Sequence, residues 1–363
     1  MFRIGMTISG FLGSCEKAGL KPSALSPAKL LLDQFGKGME PDRSDFALPV
    51  PADEFEKTMK TLLQPDHVIA VRYGGHMVDP QEVRFALARN ETAAHIAVIA
   101  PLAPGRAFIE SFDGADGWME WILDRVDPLR LAASRGPAAT GKLTWVQLLH
   151  LLHSADMYRR CYYQSMLDQT PVDELEFSET EYLEGLQNSV LSVDWRWLVP
   201  CLMSMVPGAV PDSVLGLKNQ LGCLKEYGVI TGSEAGLMKF TDRGQDLGLE
   251  FMLQWVSALG LEICKGDGKQ TEDSRLFVLG TNKGTHLFEF EKNEISYTVA
   301  GGQGVKECLN RLLNRLGPLS KAEAMKQSTP PPLESVPGRQ FCSQCGKPLA
   351  PKGRFCSACG AAA

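Results

Sequence analysis

Apolar residues recur along this chain with two different periods, and the switches between them mark its elements. Ser26-Pro27 offers an N-cap and a first-turn residue; Leu30, Leu31, Leu32 and Phe35 follow, and Gly36 ends the run. That order predicts a helix. A second helix is predicted from about Pro51, with Phe55, Met59, Leu62 and Leu63 on its inner face. Beyond it the period shortens. Val68–Tyr73, Val83–Ala88, His95–Ala100 and Ala107–Ser111 are short apolar or alternating runs separated by Gly, Pro, Asn and Asp. They predict an antiparallel meander. Trp118, Trp121, Ile122 and Val126 then return to helical spacing.

This block has a counterpart later in the chain. The segment from Arg84 to Ala97 lies over that from Arg275 to Phe288 with one constant offset and no gap, which places His95 on His286. Each segment is followed by another apolar strand (Ala107–Ser111; Ile295–Val299), a Gly-rich turn and an amphipathic helix (Trp118–Val126; Val305–Leu316). The shared order predicts a duplication, two sheet-plus-helix halves joined in one sheet or related by a pseudo-twofold. A helical insert separates them. It opens with a long helix over Thr144–Leu167, and Ser178-Glu-Thr-Glu181 is a capping box for the next. Trp195–Met205 and Ser213–Tyr227 supply two more helices.

The expected fold class is therefore α+β. An N-terminal helical segment covers residues 1–63, the first half 64–130, the insert 141–265 and the second half 270–318. Thr329-Pro330-Pro331-Pro332-Leu333 and Pro337-Gly338 make 319–340 a stiffened linker, and 341–360 form a separate tip.

Composition narrows the function classes. With 363 residues, 44% of them hydrophobic, 22% charged and a net charge of −6, the chain is an ordinary soluble globular type. From Glu334 onward it carries four basic residues against one acid, so the body is more acidic than the whole. An acidic body argues against a large nucleic-acid footprint. The longest apolar stretch, Val190–Val210, is broken by Asp194, Arg196 and two prolines, so no membrane span is expected. The N-terminal run up to Cys15 is too short and too rich in Gly, Ser and Thr for a secretion signal. Cys15, Cys161, Cys201, Cys223, Cys264 and Cys308 are scattered singly, the usage of free, buried thiols in a cytoplasmic protein.

The other four cysteines carry the clearest chemistry. Phe341-Cys342-Ser-Gln-Cys345-Gly346 is echoed by Phe355-Cys356-Ser-Ala-Cys359-Gly360, with ten residues between the pairs. Two such pairs complete a tetrahedral thiolate shell suited to zinc. The tip is too short to bury a core, so the metal would supply about 10 kcal/mol or more of its folding free energy. Cys342, Cys345, Cys356 and Cys359 are the predicted ligands of a structural zinc ion. The segment resembles the small zinc-ribbon domains found at the ends of many prokaryotic proteins, and that resemblance implies an interaction tip for protein or nucleic acid.

Other motifs are weaker. Gly136-Pro-Ala-Ala-Thr-Gly141-Lys142 matches a phosphate-binding loop until Leu143 stands where a Ser or Thr must hold magnesium. An exposed loop capping the next helix is expected instead. His150 and His153 share a helix face and are expected on its surface; His95 and His286 are expected to be satisfied strand residues. Leu221–Gly244, with Gly228-Val-Ile230 and Thr241-Asp-Arg-Gly244, resembles the end of a winged-helix module. Lys218 and Lys225 are the cations of its recognition helix, few for groove insertion. The duplicated architecture is similar to the cytosolic chaperones associated with type VII (ESX) secretion, which hold secretion substrates and do not generally carry such a tail.

The leading expectation is a non-catalytic cytoplasmic adaptor or chaperone-like protein that docks a protein partner, with the ribbon as second contact. One alternative is a transcription-associated or nucleic-acid-binding factor using Leu221–Gly244 and the basic ribbon. Another is an enzyme whose dispersed site would be a deep pocket with convergent polar groups. The sequence names neither a partner nor an oligomeric state.

Overall fold

The alternating runs become the middle of a ten-stranded antiparallel sheet. The computed structural model describes residues 2–42, 50–75, 78–89, 94–112, 114–127, 139–171, 175–207, 221–233, 236–253, 255–265, 270–291 and 294–316. All of them lie within one unit, residues 1–318. The linker 319–340, the ribbon 341–360 and most of the helix expected from Ser213 fall outside the described residues.

The chain runs β1 (Phe2–Thr7), α1 (Ile8–Ala18), α2 (Pro27–Phe35), α3 (Ala52–Leu63), β2 (His67–Gly75), β3 (Val78–Arg89), β4 (Ala94–Ala103), β5 (Arg106–Phe112) and α4 (Gly114–Val126). It continues with β6 (Ala139–Leu143), α5 (Trp145–Asp168), β7 (Glu176–Phe177), α6 (Glu179–Leu191), α7 (Leu198–Met205), α8 (Gly222–Glu226), β8 (Ile230–Gly232), β9 (Met238–Phe240) and α9 (Asp242–Leu253). The last elements are β10 (Trp255–Lys265), β11 (Gln270–Thr281), β12 (Thr285–Phe290), β13 (Ile295–Ala300) and α10 (Gly302–Arg315).

The sheet order is β1-β5-β4-β3-β2-β10-β11-β12-β13-β6. It reads the same outward from its centre in both directions. Each half is an edge strand, a helical segment, a four-strand meander and a helix. The repeat is thus longer than the sequence suggests, because α1–α3 and α5–α9 occupy matching places between an edge strand and a meander. Register repeats as well. His95 stands opposite Ala88 and His286 opposite Leu279, while Ile96 faces Leu87 and Leu287 faces Val278. One offset aligns both hairpins, so side chains at matching positions point to the same side of the sheet.

Local chemistry accounts for the element starts. The Ser26 hydroxyl accepts from the Lys29 amide and donates to the Leu62 carbonyl at 2.5 Å, which ties α2 to α3. Thr144 with Gln147 and Ser178 with Glu181 form complete capping boxes on α5 and α6. Strands β1, β6, β7 and β10 were not expected, and β1 opens a segment read as helical. Ala139–Leu143, read as an exposed loop, is instead the edge strand pairing with β13.

One sheet face receives the helices that close each half. Trp118, Met119 and Ile122 of α4 and Val305, Leu309 and Leu312 of α10 bury Ile69, Val71, Phe85, Leu261 and Leu276. The other face has two covers. Helices α1–α3 lie over Ala86, Ala97 and Ile109 of the first half; α5 and α7 lie over Phe277, Leu279 and Phe288 of the second. Each such large apolar side chain contributes about 1.5–3 kcal/mol relative to exposure. Glycines let helix ends touch the sheet: a Cβ on Gly260 would meet the Met205 carbonyl at 1.9 Å, and one on Gly280 the Val126 carbonyl at 2.1 Å. Between the two covers the centre of this face carries charge. Arg72 bonds Glu82 at 2.8 Å and Glu262 at 2.7 Å, and Arg275 reaches Glu262 at 3.1 Å.

The second cover contains its own small sheet, in the order β7-β9-β8. Tyr158 of α5 packs edge-on against Phe240 of β9, with ring centroids 5.2 Å apart. Helix α9 approaches α5 closely because Gly248 has no side chain: a Cβ there would stand 2.2 Å from the Tyr158 ring.

Candidate functional site

A pocket of about 420 Å³ opens where α9 crosses the outer strands of the second half. Leu143, Leu151, Tyr227, Val229, Leu247 and Val299 give it apolar walls. Its volume lies in the range of small-molecule sites. Gly141 of β6 adds no side chain, and a Cβ built there would meet nothing within 4 Å.

Polar groups converge at its base. Buried His286 on β12 holds Glu250 of α9 through Nε2 at 3.0 Å and the Tyr297 hydroxyl of β13 through Nδ1 at 2.9 Å. The Thr281 hydroxyl lies 2.5 Å from the same Glu250 oxygen. Burial alone would raise the Glu250 pKa, yet the hydrogen bonds and charge of His286, the Thr281 hydroxyl and nearby Lys283 hold it below the usual carboxylate value. Tyr297 is pushed well up, by burial first and by the Glu250 charge second, while Arg243 acts in the opposite direction. A carboxylate accepts only, so His286 donates to Glu250 through Nε2–H; Nδ1 accepts from the Tyr297 hydroxyl when it carries no proton and donates to it when it does.

Charged groups complete the lining. Arg243 and Asp246 come from α9, Lys283 from the β11–β12 turn and Lys142 from β6. Lys142 is paired with Glu294. Arg243 and Lys283 are exposed, and among the described residues neither makes an ion pair. Strand β6 lies at the outer end of the sheet order, so one of its edges has no strand partner among the described residues.

The sequence candidates fall elsewhere. Cys342, Cys345, Cys356 and Cys359 lie outside the described residues. Among the described residues, no cluster of three or more His, Cys, Asp or Glu is arranged to hold a metal. The expectation of a surface pair at His150 and His153 is corrected, since both are fully buried between α5 and α6. Tyr182 organises them. Its hydroxyl lies 3.3 Å from His150 Nδ1 and donates to the His150 carbonyl, and its own carbonyl lies 3.0 Å from His153 Nε2. His95 is satisfied by Thr58 at 3.3 Å, as expected, whereas His286 belongs to the pocket. Sequence reasoning missed Glu250 and Arg243 of α9 and Tyr297 of β13, which are far apart in the chain. The alignment of His95 with His286 was the available signal.

No family model matches the chain, and no curated protein matches it. Among solved structures, the Mycobacterium tuberculosis type VII secretion system chaperone EspG5, in complex with the PE25-PPE41 dimer, matches with 12% identity. The match covers 86% of this chain and 96% of that one, with a TM-score of 0.38. So loose a likeness carries nothing about function. Among the described residues, no helix is long and apolar enough to cross a membrane.

Proposed function

We propose that the chain is a protein-binding adaptor that takes up an extended segment of its partner along β6. The carrying observation is an edge strand whose residues Gly141, Lys142 and Leu143 also line the 420 Å³ pocket. Unpaired edge amides and carbonyls give affinity to an added strand, and an adjoining pocket gives it selectivity. In the same reading, Cys342, Cys345, Cys356 and Cys359 hold a zinc ion and the ribbon makes a second contact on its Pro-rich tether.

Successive amides along β6 alternate between facing β13 and facing outward. Of Thr140→Pro and Gly141→Pro, one therefore removes an outward donor and the other breaks pairing with β13. Affinity capture with the intact chain from its own cells should lose partners with the outward variant at unchanged melting temperature. Full partner recovery with both variants would sink the strand-addition reading. A Cys342→Ser/Cys345→Ser variant tests the ribbon contact separately.

A nucleic-acid reading draws support from the β7-β9-β8 order beside α6 and α9, which suits a winged-helix module. Acidic residues outnumber basic ones across 190–260, which weakens it. Steep salt dependence of DNA or RNA binding would favour it over the adaptor. The convergent Tyr297, His286 and Glu250 are what an enzyme reading asks for. No Ser or Cys stands among the described lining residues as a nucleophile.

A further inference from the structure

The Tyr297–His286–Glu250 chain has a property that the adaptor reading does not use. Glu250 accepts from His286 Nε2 at 3.0 Å and lies 2.5 Å from the Thr281 hydroxyl, so its oxygen is already served from inside the protein. With Nδ1 unprotonated, Tyr297 spends its only proton on that nitrogen, 2.9 Å away. While His286 is neutral, the phenol thus offers the pocket acceptor lone pairs and no donor. Protonation at Nδ1 reverses this hydrogen bond. The ring nitrogen then donates to the phenol oxygen, and the phenol hydrogen is released to turn toward the pocket.

We propose that the pocket is a proton-coupled site for a ligand joining an apolar body to a single carboxylate. Tyr297, Arg243 and Lys283 are its donors, and His286 takes up the proton. The apolar walls from β6, α5, the segment after α8, α9 and β13 fit the body of such a ligand. Arg243 and Lys283 fit its carboxylate, being the lining cations with no ion pair among the described residues. The charges facing His286 set the stoichiometry. Lys142 is neutralised by Glu294, protonated His286 balances Glu250, and Arg243 and Lys283 exceed Asp246 by one. A monoanion completes that balance, whereas a dianion such as phosphate overshoots it. No covalent bond forms or breaks; one solvent proton moves to Nδ1 as the ligand enters.

Two sources could present this chemistry, a free apolar carboxylic acid or the C-terminal residue of a peptide. The site does not depend on strand addition at β6, so the two proposals can fail separately. Calorimetric titration of the full chain with 3-phenylpropionate between about pH 6 and 8, where the probe stays ionised, tests it. The expected result is saturable 1:1 binding that tightens by up to about tenfold per pH unit as pH falls, with matching proton uptake seen in buffers of different ionisation heat. The neutral 3-phenylpropanol should bind more weakly and without pH dependence. A peptide ending in free Phe, compared with its C-terminal amide, identifies the peptide source if only the acid form binds.

His286→Gln and Tyr297→Phe should each flatten the pH dependence, while Arg243→Gln and Lys283→Gln should weaken binding at every pH. Melting temperatures certify that the variants are folded, and Arg243 and Lys283, being exposed, supply the pair least exposed to folding failure. Equal affinity for 3-phenylpropanol, no saturable binding of either carboxylate source, or proton uptake undiminished in His286→Gln would each overturn the proposal.

Discussion

Acid should destabilise this protein through two histidines that touch no ligand. His150 and His153 are both fully buried between α5 and α6. Burial pushes His150 down to about 4 and, with help from the nearby Arg160 charge, His153 down to about 3; the Tyr182 carbonyl opposes the second shift only in part. An unfolded histidine titrates near 6.5. The folded pKa values are depressed, so the stability they carry is fully present above pH 6.5 and drains away as pH falls toward the folded values. At pH 5 each unfolded histidine gains about 2 kcal/mol by protonation that its buried counterpart cannot match, roughly 4 kcal/mol for the pair. That is a large share of a typical folding free energy of about 5–15 kcal/mol. Urea unfolding followed by tryptophan fluorescence at pH 7, 6 and 5 measures it. A His150→Asn/His153→Gln variant should be less stable at pH 7 but lose much less between pH 7 and 5, and carboxylate contributions cancel in that comparison. Parallel loss in both proteins would refute the burial argument.

Three further perturbations test other parts of the fold. Asp156 is fully buried, bonds Arg159 at 3.0 Å and accepts from the Leu198 and Val199 amides at the start of α7. Asp156→Asn strands a buried guanidinium and should cost about 3–5 kcal/mol, read as a lower urea midpoint. Gly280→Ala would bring a Cβ within 2.1 Å of the Val126 carbonyl at the end of α4 and 2.4 Å of the Ser257 hydroxyl that donates to it. A loss of about 1–3 kcal/mol or more is expected by denaturant titration. Elemental analysis of reduced full-length protein should find one zinc per chain, and Cys342→Ser should abolish stoichiometric binding.

What could be read from the sequence depended on how far the signal reached. The meander strands and the helix starts at Ser26, Thr144 and Ser178 were legible, because capping and alternation act over a few residues. Strand β10 was not, although it joins the halves. Its run Trp255–Lys265 is buried on both faces, so Ala258, Leu259 and Leu261 show no alternation to separate strand from buried helix. Strand β6 was hidden by Gly141 and Lys142, residues poor in strand propensity that tertiary pairing overrides. The buried pair His150 and His153 was misplaced because polarity alone suggested solvent, whereas the Tyr182 partner lies on another helix. The pocket failed to appear for the same reason: Glu250, His286 and Tyr297 meet only in three dimensions.

The duplication explains why the 420 Å³ pocket adjoins His286, while the pocket of about 160 Å³ in the first half, between α2 and strands β3 and β4, is not lined by His95. His95 and His286 hold the same strand position, register and side of the sheet, so what differs is the helix laid across each. In the first half α3 presents Thr58, with Met59 and Leu62 sealing the layer around it, and the Thr58 hydroxyl hydrogen-bonds His95 there. In the second half α9 presents Glu250, one turn after Asp246 and two after Arg243, so charges on one helical face replace apolar side chains. A charged helix face cannot seal against a sheet, because each buried charge needs a partner. Among the described residues, of these three charges Glu250 alone finds one, in His286. The space beside Arg243 and Asp246 therefore stays open. The pocket is a consequence of that exchange of cover, and swapping the charges for apolar residues (Arg243→Leu/Asp246→Leu) should close it. Such a variant is expected to melt higher than the parent and to lose 3-phenylpropionate binding; an unchanged pocket affinity would show that α9 does not hold it open.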